Sequence, residues 1–181
     1  MALTAGLTTL TIDCAKLHDG SVCLRPWKLS DAAWYAECSR DDAIQRFTTD
    51  PADLTAAEVA TAIRISRDRA DRDAFLIGNA DGSQRLGNLA VDYQGQVAHI
   101  SAWVAAAARG HGVAASALKL LLALLLENTD LREVRVWIHA DNVASRRAVE
   151  RAGFARDPAA DRIRTVKGAE WPTVEYCRSL R

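Results

Sequence analysis

The chain has 181 residues, 49% hydrophobic and 25% charged, a composition that suits a globular protein with a single core. Lys plus Arg and Asp plus Glu stand at 23 each, which argues against a broad nucleic-acid footprint. The longest apolar run is interrupted by Lys119 and falls short of the roughly 20 residues that span a bilayer.

Residues 1–20 are Thr-rich and weakly alternating, and read as an N-terminal arm or edge strand ahead of one domain over 21–181. The start, Met1 to Gly6, lacks the basic and apolar segments of a secretion signal. Val22 to Pro26 is a short strand that proline stops, and Ser30 opens a helix carrying Trp34, Tyr35 and Cys38. Thr55-Ala56-Ala57-Glu58 has the capping-box pattern, which predicts a helix running towards Arg69. Strands follow at Ala74–Ile77, Leu86–Tyr93 and Val97–Val104, with turns at Asp81-Gly82-Ser83 and Gln94-Gly95-Gln96. A helix spans Ala114 to Leu126, a strand Val134 to Ile138, and a helix Val143 to Ala152 closed by Gly153. A strand begins at Phe154, and a last one covers Thr173 to Tyr176. Antiparallel strands followed by a βαβ crossover predict a mixed α/β fold in one domain. Cys14, Cys23, Cys38 and Cys177 have no zinc-type spacing and fit a reducing cytosol, so the expectation is a metal-free cytoplasmic protein.

The stretch that carries chemistry is Arg109-Gly110-His111-Gly112-Val113-Ala114, between a strand and the long helix. Glycines let a backbone approach a bulky anion, and a helix start presents unpaired N–H groups and a positive dipole end. Arg109 adds a fork matched to phosphate oxygens, and His111 contributes its backbone amide. The segment is therefore a diphosphate site. A nucleoside-triphosphate loop is excluded, because it needs a Lys-Ser/Thr pair after the second glycine. Gly110-His111-Gly112-Val113-Ala114-Ala115 does match the dinucleotide pattern G-x-G-x-x-A. However, Ala105 to Arg109 intervene between strand and glycines, and too little chain remains for a doubly wound sheet.

Read from Arg109, the pattern is Arg-x-x-Gly-x-Ala, and it resembles motif A of the GNAT superfamily of acyl-coenzyme-A-dependent N-acyltransferases. A second stretch, Asn142 to Phe154, resembles Asn-x-x-Ser-x-x-x-x-Glu-Lys-x-Gly-Phe of the RimJ/RimL branch, which acetylates ribosomal-protein N-termini; Arg151 replaces the Lys. Leu24-Arg25-Pro26-Trp27 with Asp31-Ala32 resembles the first strand and helix start of that branch.

The resemblance implies a central, mostly antiparallel sheet splayed in the middle and flanked by helices, with acetyl-coenzyme A in the gap. It implies that the turn at Arg109–Ala114 binds the diphosphate and that backbone amides near Trp103 and Val104 are exposed to the gap, one of them meeting the thioester carbonyl. Asn142 would contact the pantetheine arm or order its turn, and Ser145 would assist the leaving thiolate. Relatives often place a Tyr acid four residues after that Ser, where this chain has Val149. Relatives also often carry Glu in the strand before motif A, where this chain has His99; His99 is the candidate base and His139 the second. Trp27 and Trp34 would shape the acceptor pocket. The acceptor is a protein N-terminus or a small-molecule amine, and a homodimer is left open. A non-catalytic acyl-coenzyme-A-binding or regulatory domain is the alternative, and a dinucleotide-binding oxidoreductase the distant one.

Overall fold

Strands buried in continuous runs at the sheet centre and alternately in β5, with an apolar stripe on the longest helix, generate the architecture seen in the computed structural model, which describes residues 18–180. The reading of the first twenty residues as an arm or edge strand falls almost wholly outside the described residues. In chain order the elements are β1 (Val22–Pro26), α1 (Ala32–Cys38), α2 (Asp42–Phe47), α3 (Ala56–Arg67), β2 (Arg72–Asn79), β3 (Arg85–Gln94) and β4 (Val97–Val104). They continue as α4 (Val113–Asn128), β5 (Glu133–His139), α5 (Val143–Arg151), β6 (Ala155–Arg156), β7 (Arg162–Val166) and β8 (Ala169–Ser179).

The eight strands form one sheet in the order β1-β2-β3-β4-β5-β8-β6, with β7 paired to β8. Every pairing is antiparallel except β4 with β5. Helix α4 covers the back face: Leu118, Leu121, Leu122 and Leu125 pack on Leu24, Phe75, Leu89, Ile100 and Val134 in the main core. Burying each such side chain contributes roughly 1.5–3 kcal/mol. Helices α1 and α3 lie on the front face over a smaller core of Trp27, Ala32, Ala36, Val59, Ile63 and Leu76.

Helix α3 begins as the sequence requires, since Thr55 and Glu58 complete a reciprocal capping box. Two elements were not expected. Helix α2 has only six residues, too few to show a helical period, and is held by Asp41 accepting from the Ile44 amide (3.0 Å). Strand β7 carries Ile163 outward at 66% exposure, so its alternation does not read as a half-buried strand. No helix among the described residues is long and apolar enough to cross a membrane.

Candidate active site

Strands β4 and β5 are neighbours only at Val97↔Glu133, Ala98↔Val134 and His99↔Arg135. Beyond His99 they part, and the sheet opens in its middle. The consequence is visible in burial: Ser101 and Ala102, in the centre of an eight-stranded sheet, are exposed. Because β4 and β5 run parallel, both reach their C-terminal ends at the wide side of the gap, and α4 and α5 both begin there.

The pairing with β3 decides which main-chain groups face the gap. Ala105 donates its N–H to Leu86 O (2.8 Å) at the end of the ladder. In an antiparallel pair such bonds recur at every second residue, so the amides of Trp103, Ser101 and His99 point at β3. Those of Ala102 and Val104 point into the gap. This corrects one expectation: Trp103 gives its amide to β3, and Ala102 takes its place beside Val104.

At the wide end, Gly110 and Gly112 both hold positive φ (+82° and +78°), and a Cβ on either would meet open space. Only glycine adopts this double left-handed turn without strain. Gly112 caps α4 with no side-chain bond, so the Val113, Ala114 and Ala115 amides of the first turn remain available to an external acceptor. His111 is exposed beside them. These features fit a diphosphate.

Arg109 behaves differently from the expectation. Its guanidinium grips the Asp41 carboxylate through Nη2 (2.5 Å) and Nη1 (3.3 Å), while Nε donates to Val104 O (3.1 Å). The fork read as a phosphate ligand is thus a brace between the turn, the end of β4 and the cap of α2. The same guanidinium holds the Asp41 carboxyl below its ordinary range.

Across the gap, Asn142 caps α5 by accepting from the Ser145 amide (3.1 Å), which gives it the turn-ordering role. Ser145 sits half-buried in that first turn. Val149 is buried in the main core, so the Tyr position of relatives is here a packing position.

On the front face, aromatic side chains flank the gap. His99 is half-buried at the apex of the gap, and Ser101 and Trp103 follow on the same face of β4. Trp103 contacts Trp34 (5.8 Å between ring centroids) and Tyr35 (5.1 Å). Tyr35 donates its hydroxyl to Asp50 (2.8 Å); burial, then the Asp50 charge, push that hydroxyl far above its ordinary pKa. Trp27 donates to Asn88 (3.2 Å) within the front core and lines, with Tyr35, Asp50 and Leu54, a cavity of about 270 Å³. On the opposite wall His139 packs between Phe47 of α2 (5.5 Å, tilted) and Trp171 of β8 (5.2 Å, edge-on). The His139 Nδ1 accepts from the Asp141 amide (3.2 Å), which fixes the orientation of the ring. Sequence reasoning missed Ala102, Asp41 and Phe47, because strand separation and the contacts of a six-residue helix carry no local pattern.

Residues 21–155 match a family model described as an acetyltransferase (GNAT) domain. The chain belongs to this acetyltransferase family. No curated protein matches the sequence. Among solved structures, this acetyltransferase is similar to RimL, the ribosomal L7/L12 α-N-protein acetyltransferase in complex with coenzyme A, at 16% identity and TM-score 0.77, covering 91% of this chain and 97% of that one. Mycobacterium smegmatis RimJ, in complex with a coenzyme A disulfide, is 21% identical with TM-score 0.74 over 88% of this chain and 82% of that one. Spermidine N-acetyltransferase from Vibrio cholerae, solved with coenzyme A and spermine, is 12% identical with TM-score 0.78 over 90% and 97% of the two chains. The dinucleotide alternative falls with the fold, since the glycine turn follows a splayed, mostly antiparallel sheet. Among the described residues no cluster of His, Cys, Asp or Glu is arranged to hold a metal ion.

Proposed function

We propose that residues 21–181 form one catalytic domain that moves an acetyl group from acetyl-coenzyme A to a primary amine within a ternary complex. The observation that carries this reading is the opening between β4 and β5 beyond His99↔Arg135, with main-chain donors on its wall and at its mouth. The diphosphate lies against the amides of Gly110 to Ala115, and the pantetheine arm runs down the gap towards the apex. The amides of Ala102 and Val104 donate along it, and the former meets the thioester oxygen as it becomes an oxyanion.

The acceptor enters from the front face, between the Trp34–Tyr35–Trp103 and Phe47–His139–Trp171 clusters. His99 accepts a proton from the ammonium form of the acceptor, directly or through water. The amine lone pair forms the C–N bond, the tetrahedral intermediate collapses, and the C–S bond breaks. The Ser145 hydroxyl donates a hydrogen bond to the departing thiolate, which leaves as the thiol by taking the second proton that the nitrogen sheds as it becomes the amide. The acceptor is a protein N-terminus or a small amine; solved relatives act on both kinds, a ribosomal protein and spermidine. Cys23, Cys38 and Cys177 stand as thiols, which suits work in the cytoplasm.

The test is thiol release from acetyl-coenzyme A across a panel of polyamines, aminoglycosides and short peptides with free N-termini. Turnover with at least one amine supports the reading. Binding of acetyl-coenzyme A without transfer to any of them would revive the non-catalytic alternative.

A further inference from the structure

Helix α2 spans the acceptor side of the gap and is fastened at both ends. At its start, Asp41 is both the helix cap and the partner of Arg109, on the strand-to-helix turn of the donor side. Along its length, Lys167 from the β7–β8 turn donates to Gln45 O (3.1 Å) and Oε1 (2.9 Å). At its end, Phe47 packs on His139 of β5. Of these fastenings the Asp41–Arg109 contact is the ion pair, and it is only partly exposed, with 37% of the Arg109 side chain and 26% of the Asp41 side chain open to solvent. Three N–H groups of Arg109 are engaged, one each on Nε, Nη1 and Nη2, so the fork is fixed in orientation.

We propose that Asp41 is a positioning residue that, through Arg109, ties the acceptor wall to the donor turn, so that α2, already formed and capped, is restrained further when coenzyme A restrains Gly110 to Ala115. This rests on the reading that the diphosphate occupies that turn. The physical chain is short. Amides of the turn that lack acceptors gain them when the ligand binds, and the turn loses freedom. Arg109 is covalently part of the turn, and its fork shares one carboxylate with the cap of α2. Restraint on the turn therefore reaches the helix that carries Phe47. The acceptor pocket is completed by the donor.

Amide hydrogen exchange on the full chain, with and without saturating coenzyme A, tests this without knowledge of the acceptor. In the wild type, coenzyme A slows exchange in residues 110–116 and also, by about threefold or more, in 42–48. Asp41→Ser keeps a helix cap but cannot span to Arg109; it retains the slowing at 110–116 and loses it at 42–48. Arg109→Gln, which keeps the Asp41 cap of α2 in place, gives the same separation even if the serine variant frays. The proposal is overturned if 42–48 is insensitive to coenzyme A in the wild type, or if either variant still transmits the response. Absence of any slowing at 110–116 in the wild type would overturn the placement of the diphosphate itself, and the proposal with it.

Discussion

Replacing Ala102 with proline removes one N–H from the gap and nothing from the sheet. The Ala102 amide belongs to the set that points away from β3, and β5 has already separated three residues earlier, at His99↔Arg135. Proline asks the residue before it to be extended, and Ser101 already is, within β4. The Ala102 side chain is exposed, so the ring meets no core. The remaining cost is a modest adjustment of φ, about 1 kcal/mol, or a drop in Tm of about 2–4 °C for a domain of this size. The catalytic cost is far larger. Loss of one oxyanion donor typically lowers kcat by about 10²–10³, equivalent to about 2.7–4 kcal/mol. The assay is thiol release with the best amine of the panel, alongside calorimetric unfolding. Ser101→Pro is the contrast, because it deletes an amide that β3 uses and leaves a carbonyl of β3 without its ladder partner, costing about 1–3 kcal/mol of stability. An Ala102→Pro enzyme that keeps kcat within about threefold of wild type at near-native Tm would refute the assignment of that amide to the reacting carbonyl.

Further outcomes follow from the same geometry. His99→Ala lowers turnover by about 10²-fold while the coenzyme A dissociation constant, from calorimetric titration, stays put; wild-type turnover removes His99 as base. Gly112→Ala forces a Cβ onto a residue at φ +78°, destabilising the free protein by about 1 kcal/mol in urea unfolding. The same Cβ projects into the open space assigned to the diphosphate, so coenzyme A affinity falls further than stability does; unchanged affinity would move the diphosphate elsewhere. Asp31 is buried, which opposes its charge, but Arg25, Arg85 and the Lys28 amide outweigh burial and hold its carboxyl at about 2. A depressed folded pKa stabilises above the unfolded value and is lost as pH falls from about 4 through about 2, a contribution of about 2 kcal/mol. Asp31→Asn is therefore less stable than wild type at pH 7, and the two unfolding curves converge towards pH 2; a gap independent of pH would rule out the ion triad as its source.

Much of this was legible in one dimension. The limits of β4, Val97 to Val104, agree with the sequence reading to the residue, because Gly95 and the alanine-rich stretch after Val104 bracket an apolar run. Helix α4 was placed within a residue or two at each end for a similar reason: Gly112 stops one element and starts another. The glycine turn and the Asn142–Ser145 cap are local chemistry, a φ requirement and a three-residue hydrogen bond, so their sequence pattern is their structure. Helix α2 and strand β7 escaped because one is too short for a period and the other exposes its isoleucine.

What only the tertiary structure decided is where strands part and what each charged group faces. Any amide on β4 satisfies the sequence equally. The register with β3 and the three-residue contact with β5 single out Ala102 and Val104. Arg109 suits a phosphate and a carboxylate alike, and 68 positions of chain separate it from the aspartate it takes. Local rules set conformation because they act over a few bonds; partners such as Asp41 for Arg109 and Phe47 for His139 are chosen by the packing of the whole chain.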